Sequence, residues 1–147
     1  MSNPQLYGQD FYAWANEQAA LLRAGRLSEA DIEHIAEEIE SIAKREKREL
    51  VERLTTLLVH LLKWRFQPAF QSNSWRLTIE IQRVKLDYYV AESPSLKHSI
   101  EETIKAAYGF AIPGAVGETG LDRSAFPLVC PWSYGQMMDL NFFPEAT

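Results

Sequence analysis

Apolar residues recur at intervals of three and four along most of the chain, which is the period of an amphipathic α-helix. This pattern predicts an all-α protein, a single-domain helical bundle over residues 1–147. The predicted helices lie at about residues 10–24, 29–66, 74–91, 94–109 and 133–140. The last is a short helix within a C-terminal strap, which is the apolar tail at residues 126–146. Asp10 is the predicted N-cap of the first helix, Gly25 its stop signal, and Ser28 the predicted N-cap of the second.

The second predicted helix, at residues 29–66, is long for a chain of this size. Neither glycine nor proline occurs between Arg26 and Pro68, and the apolar positions keep one helical phase throughout. These positions include Ile32, Ile35, Ile39, Ile42, Leu50, Leu54, Leu57, Leu58 and Leu61. The segment KREKRE at residues 44–49 is charged on every side. It therefore contributes to no core and marks a candidate bend between two small cores.

The apolar stripe of this helix is longer than the cover that the chain offers. The first helix can cover residues 29–44, and the third and fourth helices can cover residues 50–66. If the long helix is straight, one half still lacks sufficient cover. We expect the residual stripe to contact an unidentified protein partner or a second copy of the chain.

A corner near Phe70 joins the second and third predicted helices. Antiparallel packing about this corner brings Trp64 close to Trp75, and each tryptophan continues the apolar phase of its helix. We therefore interpret both as structural aromatic residues that close the end of the core.

The same antiparallel packing brings His60 close to Gln82 and Arg83. These three residues form a candidate polar cluster for proton transfer by His60. No nucleophile or carboxylate is fixed beside the histidine in this arrangement. A hydrogen-bonded, partly buried structural histidine is therefore the favoured interpretation.

Five cations around the corner form a candidate basic surface for nucleic acid. They are Lys63, Arg65, Arg76, Arg83 and Lys85. With Glu80 as the one carboxylate, residues 61–85 carry a net charge of +4, and the rest of the chain carries −9. Aromatic side chains beside the cations would stack on bases only if they were exposed. Because the tryptophans are predicted to face inward, we favour a structural corner and consider nucleic-acid binding unlikely.

Other candidate chemistry is sparse. His34, Glu37 and Glu38 share one helical surface, but no second helix supplies the ligands that a metal centre in a helical bundle needs. Cys130 has no basic neighbour that would activate its thiol. The chain contains no nucleophile-elbow or phosphate-loop motif. We therefore predict no metal, no cofactor and no catalytic residue.

Composition sets the expected compartment. A net charge of −5 is unusual for a general nucleic-acid binder, and one cysteine makes no internal disulfide. The first residues lack a signal-peptide pattern, and the longest apolar run is too short to cross a membrane. We expect a cytoplasmic protein without a membrane partner.

Three sequence blocks, with the pattern around them, resemble a known family. They are HLLKW at residues 60–64, SWRLTI at residues 74–79 and FPLVCPW at residues 126–132. They resemble the bacterial family called domain of unknown function 29, and the similarity extends from about Tyr7 to Glu145. The resemblance implies an all-helical bacterial protein with no assigned activity. The segment IPGAVG at residues 112–117 departs from the family pattern, which is more helix-forming there.

Three classes of function remain open from the sequence. The leading hypothesis is a non-enzymatic interaction or regulatory module, because the pattern supplies abundant packing and no catalytic arrangement. The alternative is a nucleic-acid-associated protein that uses the basic corner at residues 61–85. The third is an enzyme with a polar site centred on His60.

Overall fold

The computed structural model describes residues 5–146, and every regular element within them is a helix, without strands. This confirms the all-α prediction. The α-helices are α1 (Leu6–Gln9), α2 (Phe11–Arg23), α3 (Ile32–Phe66), α4 (Asn73–Glu92), α5 (Ile100–Thr119) and α6 (Tyr134–Met138). Short 3₁₀ turns occupy Leu27–Glu29, Pro68–Phe70, Pro94–Ser99 and Arg123–Ala125.

Two compact units divide the chain, and the boundary lies inside α3, between Glu46 and Lys47. The boundary falls within the charged KREKRE segment at residues 44–49, which was predicted to contribute to no core. Helix α3 itself runs without interruption from Ile32 to Phe66. Whether the two units fold as one domain stays a prediction.

The first unit contains α1, α2 and the beginning of α3. Asp10 caps α2 as predicted, since its carboxylate accepts a hydrogen bond from the backbone N–H of Ala13 at 3.1 Å. Gly25 follows the helix with φ of 72°, a left-handed conformation that favours glycine. Trp14 and Gln18 are the only buried residues of α2.

The start of α3 differs from the prediction. The helix begins at Ile32 because residues 27–29 form a 3₁₀ turn instead of the first helical turn. Asp31 lies at the cap position in place of Ser28. Its backbone carbonyl accepts from the N–H of Ile35 at 3.0 Å, and its carboxylate is 3.5 Å from the N–H of His34.

The second unit has an apolar core built on the C-terminal half of α3. Six leucines of α3 are fully buried there, namely Leu50, Leu54, Leu57, Leu58, Leu61 and Leu62. Helices α4 and α5 and the C-terminal strap cover them with Ile79, Leu86, Ala107, Ala111, Ala115, Phe126, Trp132 and Met137, all buried in the same core. The predicted short helix of the strap begins after Ser133, whose hydroxyl accepts from the N–H of Gln136 in a capping box.

The prediction that the fourth helix ends near residue 109 is wrong. Helix α5 begins at Ile100, after a 3₁₀ turn, and continues through Pro113 to Thr119. Pro113 is exposed, so its ring projects towards solvent. At Gly114 an added Cβ would lie 3.1 Å from a methyl carbon of Val59, which shows how closely α5 approaches α3. Burial of the small residues of α5 against α3 therefore outweighs the low helix propensity of glycine and proline.

A pair of glycine substitutions tests the corrected end of α5. Gly117 lies inside the helix with open space around it, so Gly117→Ala should stabilise the protein by about 0.5–1 kcal/mol. Gly120 ends the helix with φ of 74°, so Gly120→Ala should destabilise it by about 1–2 kcal/mol. Chemical denaturation measures both free energies of unfolding. Equal effects of the two substitutions would contradict a helix that extends to Thr119.

Candidate functional site

Arg83 is a buried structural clamp for the C-terminal strap. Only 1 % of its surface is exposed. Its Nε donates to the carbonyl of Met137 at 2.6 Å, and its Nη2 donates to the carbonyl of Phe142 at 2.7 Å. Burial lowers the pKa of the guanidinium below its ordinary value, while the negative charge of Asp139 opposes that shift. The Arg83 side chain therefore holds the strap in place through these two hydrogen bonds.

His60 makes a local hydrogen bond within α3. Its Nδ1 lies 2.9 Å from the carbonyl oxygen of Thr56, one turn earlier. Arg83 donates its hydrogen bonds to the strap, and Gln82 has a buried Oε1 without a partner among the described residues. These contacts do not join His60, Gln82 and Arg83 into one network. A groove of about 560 Å³ in this unit is lined by Arg48, Val51, Glu52, Thr55, Thr56 and Phe110, without His60.

The five cations of the predicted basic surface have different surroundings. Lys63 is 7 % exposed, and its ammonium pairs with Glu118 at 3.1 Å and lies 4.6 Å from the centre of the Trp75 ring. Together with Arg83, it is withdrawn from the surface. Arg76 and Lys85 are exposed and Arg65 is half-buried. The corner therefore presents fewer cations to solvent than its sequence suggests.

The two tryptophans of the corner have different partners from those expected. Trp64 is buried, and its ring centre lies 4.9 Å from that of Phe143 in the strap. The guanidinium of Arg76 lies over both of these rings, at 5.5 and 4.8 Å. Trp75 is half-buried under the ammonium of Lys63. Among the described residues, no direct ring contact joins Trp64 to Trp75.

Cys130 lies in the strap as a half-buried thiol that donates to the carbonyl of Trp132 at 3.4 Å. Burial raises the pKa of this thiol, so the reactive thiolate is disfavoured. Tyr108 nearby is buried, and its hydroxyl donates to the carbonyl of Pro127 at 2.6 Å. Burial raises the pKa of Tyr108 to about 12. Both groups serve as protonated structural donors.

The first unit contains a polar and aromatic cluster around Asp31. Its carboxylate lies 2.7 Å from Nδ1 of His34 and accepts from the indole N–H of Trp14 at 3.0 Å. The Tyr7 ring stacks on the imidazole with 4.0 Å between ring centres, and the Tyr7 hydroxyl donates to Glu38. That hydrogen bond raises the pKa of Tyr7 to about 12. The cluster fastens α1 and α2 to the beginning of α3.

Titration of the Asp31–His34 pair follows from these contacts. The hydrogen bond to Asp31 raises the pKa of His34 above 6.5, and the nearby carboxylates of Glu37 and Glu33 act in the same direction. Burial raises the pKa of Asp31, but the hydrogen bonds from His34 and Trp14 outweigh burial and bring it below 3.8.

The N-terminal half of α3 carries an apolar surface without cover. We call it the isoleucine face, and it consists of Ile32, Ile35, Ala36, Ile39, Ile42 and Ala43. Ile32 is 54 % exposed, Ile39 62 % and Ile42 51 %. Both alanines are also exposed, and Ile35 is half-buried. The prediction that part of the long helix lacks cover from its own chain agrees with these exposures.

Residues 5–146 lack two further features, a metal-binding cluster and a membrane-spanning helix. Within that part of the chain, no group of three or more histidine, cysteine or acidic residues is arranged to hold a metal ion. None of the helices described there is long and apolar enough to cross a membrane.

Comparison with known proteins identifies the class as a family of unknown function. A family model described as "Domain of unknown function DUF29" matches residues 6–143, nearly the whole chain. The chain therefore belongs to the DUF29 family, as its sequence blocks suggested. No curated protein and no solved structure matches it.

Sequence reasoning missed the roles of Arg83 and Asp31, although each had a signal. Arg83 follows Ile79 by four residues and precedes Leu86 by three, so it occupies the buried face of α4. Asp31 precedes His34 by three residues at the start of a helix, where a carboxylate both caps the helix and reaches the imidazole.

Loss of the Arg83 clamp should destabilise the second unit. Arg83→Met retains much of the volume but leaves the carbonyls of Met137 and Phe142 without a donor. We expect a loss of about 2–4 kcal/mol in the free energy of unfolding. Lys85→Met is the matched control, because Lys85 is an exposed cation on the same helix α4, and it should cost less than about 1 kcal/mol. Urea denaturation measures both values, and equal losses would contradict the clamp.

The Asp31–His34 pair should make stability depend on pH. Since the pKa of His34 is raised on folding, its contribution is complete below pH 6.5 and is lost as pH rises through the raised value. The contribution of Asp31 persists until the pH falls below 3.8. The free energy of unfolding should therefore decrease as the pH rises from about 6.5 through the raised pKa of His34. His34→Gln should reduce this decrease, whereas His98→Gln, at an exposed position, should retain it.

Proposed function

We propose that this protein is a non-enzymatic interaction module that binds a helix of a partner polypeptide through the isoleucine face. One observation carries the proposal: Ile32, Ile39 and Ile42 each leave about half of their surface in solvent. Clustered exposure of large aliphatic side chains on one helix surface is typical of a protein interface.

The rest of α3 indicates what kind of partner fits. Leu50 follows Ile39 by eleven residues and Leu57 follows Leu50 by seven, so the leucines continue the helical phase of the isoleucine face. Leu50 and Leu57 are fully buried in a core that α4 and α5 complete. Within this chain, amphipathic helices therefore cover the part of the apolar surface of α3 that is buried.

The alternative functions have less support. The basic corner presents fewer cations than expected, because Lys63 pairs with Glu118 and Arg83 with strap carbonyls. An enzymatic role for His60 has less support because its hydrogen bond joins it to the backbone carbonyl of Thr56 and not to an acid or a nucleophile. The expected setting is the cytoplasm of a bacterium, on the grounds of the single cysteine and the family resemblance.

Site-specific photo-crosslinking in the native host tests the proposal. A photoreactive amino acid at position 39 should give a crosslink to an amphipathic helix, mapped by mass spectrometry. The same amino acid at position 37 is the control. Glu37 is two residues away and projects from nearly the opposite side of the helix. Equal crosslinking at both positions, or none at position 39, would contradict the proposal.

A further inference from the structure

The isoleucine face has a spacing that is the same in both directions. Ile32, Ile35, Ile39 and Ile42 are separated by three, four and three residues, as in positions a, d, a and d of a heptad repeat. If a second copy of the helix runs in the opposite direction with its Glu37 at the same level, each isoleucine of one helix lies level with an isoleucine of the other. A two-fold symmetric contact needs this property, because residue i meets residue j while residue j meets residue i.

We infer that the partner helix is the same segment of a second copy of this chain, paired antiparallel about a two-fold axis level with Glu37. This inference rests on the proposed function and names the partner for that surface. Ile35 of each copy lies against Ile39 of the other, and Ile32 lies against Ile42. All four isoleucines of each copy are thereby covered, and Ala36 meets Ala36 across the axis, where its small side chain permits close approach.

Charge along α3 favours the antiparallel direction. Acidic residues are concentrated at the beginning of the segment, and cations follow its end, with Lys44 and Arg45 both exposed. Antiparallel pairing brings Arg45 of each copy to the level of Asp31, directly before α3 of the other copy. A parallel pair would instead place the acidic stretches of the two copies side by side and the cations of the two copies side by side. Both of these contacts between like charges are repulsive.

The register is decided by apolar burial. Shifting one helix by seven residues would bring Glu38 opposite Arg45 but would place Ile35 and Ile32 against Glu46 and Glu49. Exposed ion pairs contribute less than the burial of an isoleucine side chain. The register with four isoleucine contacts is therefore preferred, although it brings Glu38 close to Glu38 at the axis.

Sedimentation velocity tests the inference on the full-length chain. We expect a concentration-dependent dimer at micromolar concentrations. Ile39→Gln should weaken it by about tenfold or more, because each dimer loses two buried isoleucines. Ile81→Gln is the matched control, since Ile81 is 48 % exposed on α4 and lies outside the face. A dimer that both variants weaken equally would overturn the assignment to this face.

Disulfide crosslinking tests the direction and the register. In a Cys130→Ser background, Ala36→Cys alone should form a crosslinked dimer. Ile39→Cys should crosslink efficiently when mixed with Ile35→Cys and poorly by itself. Efficient crosslinking of Ile39→Cys alone would indicate parallel pairing and overturn the inference.

The outcomes separate this inference from the proposed function. A chain that stays monomeric at high micromolar concentration, while position 39 crosslinks to a different protein, would overturn the second copy and leave the interaction module supported. A monomer without a crosslink at position 39 would contradict both.

Discussion

The length of α3 is the constraint on which the rest of the structure depends. It is one helix of 35 residues, about 52 Å long, with apolar side chains in one phase from end to end. Backbone hydrogen bonds maintain the helix through the charged KREKRE segment, but they cannot bury its apolar side chains. Each part of the helix must find cover elsewhere, and the two halves differ in how much cover their own chain supplies.

In the C-terminal half the cover is complete, and polar groups maintain it. The strap that closes the core has little regular structure, so its carbonyls need donors from elsewhere. Arg83 supplies two of these bonds from within the core, and Lys63 reaches Glu118 on α5. A buried cation needs hydrogen-bond or ion-pair partners. Lys63 has one in Glu118 and Arg83 has two in the strap carbonyls, whereas Nη1 of Arg83 has no partner among the described residues. Their charges thus stabilise the closed core and are largely withdrawn from solvent.

In the N-terminal half the cover is partial. The cluster around Asp31 attaches α1 and α2 to one side of α3, where Tyr7 reaches as far as Glu38. The isoleucine face beyond this contact keeps about half of each large side chain in water, which is costly for a folded protein unless another molecule covers it. The proposed symmetric antiparallel contact would supply that cover with the residues that the chain already has.

The sequence by itself determined the helical class, the unbroken long helix that ends at Phe66, the stop at Gly25 and the corner near Phe70, because these follow from local periodicity, caps and breakers. It also determined the family, through blocks that the matched range contains. Only the tertiary structure decided that α5 continues past Pro113, because the close approach of Gly114 to Val59 is a contact between residues 55 positions apart. For the same reason it alone decided what the buried cations bind: Lys63 reaches Glu118, and Arg83 reaches the carbonyls of Met137 and Phe142, all more than 50 positions away along the chain.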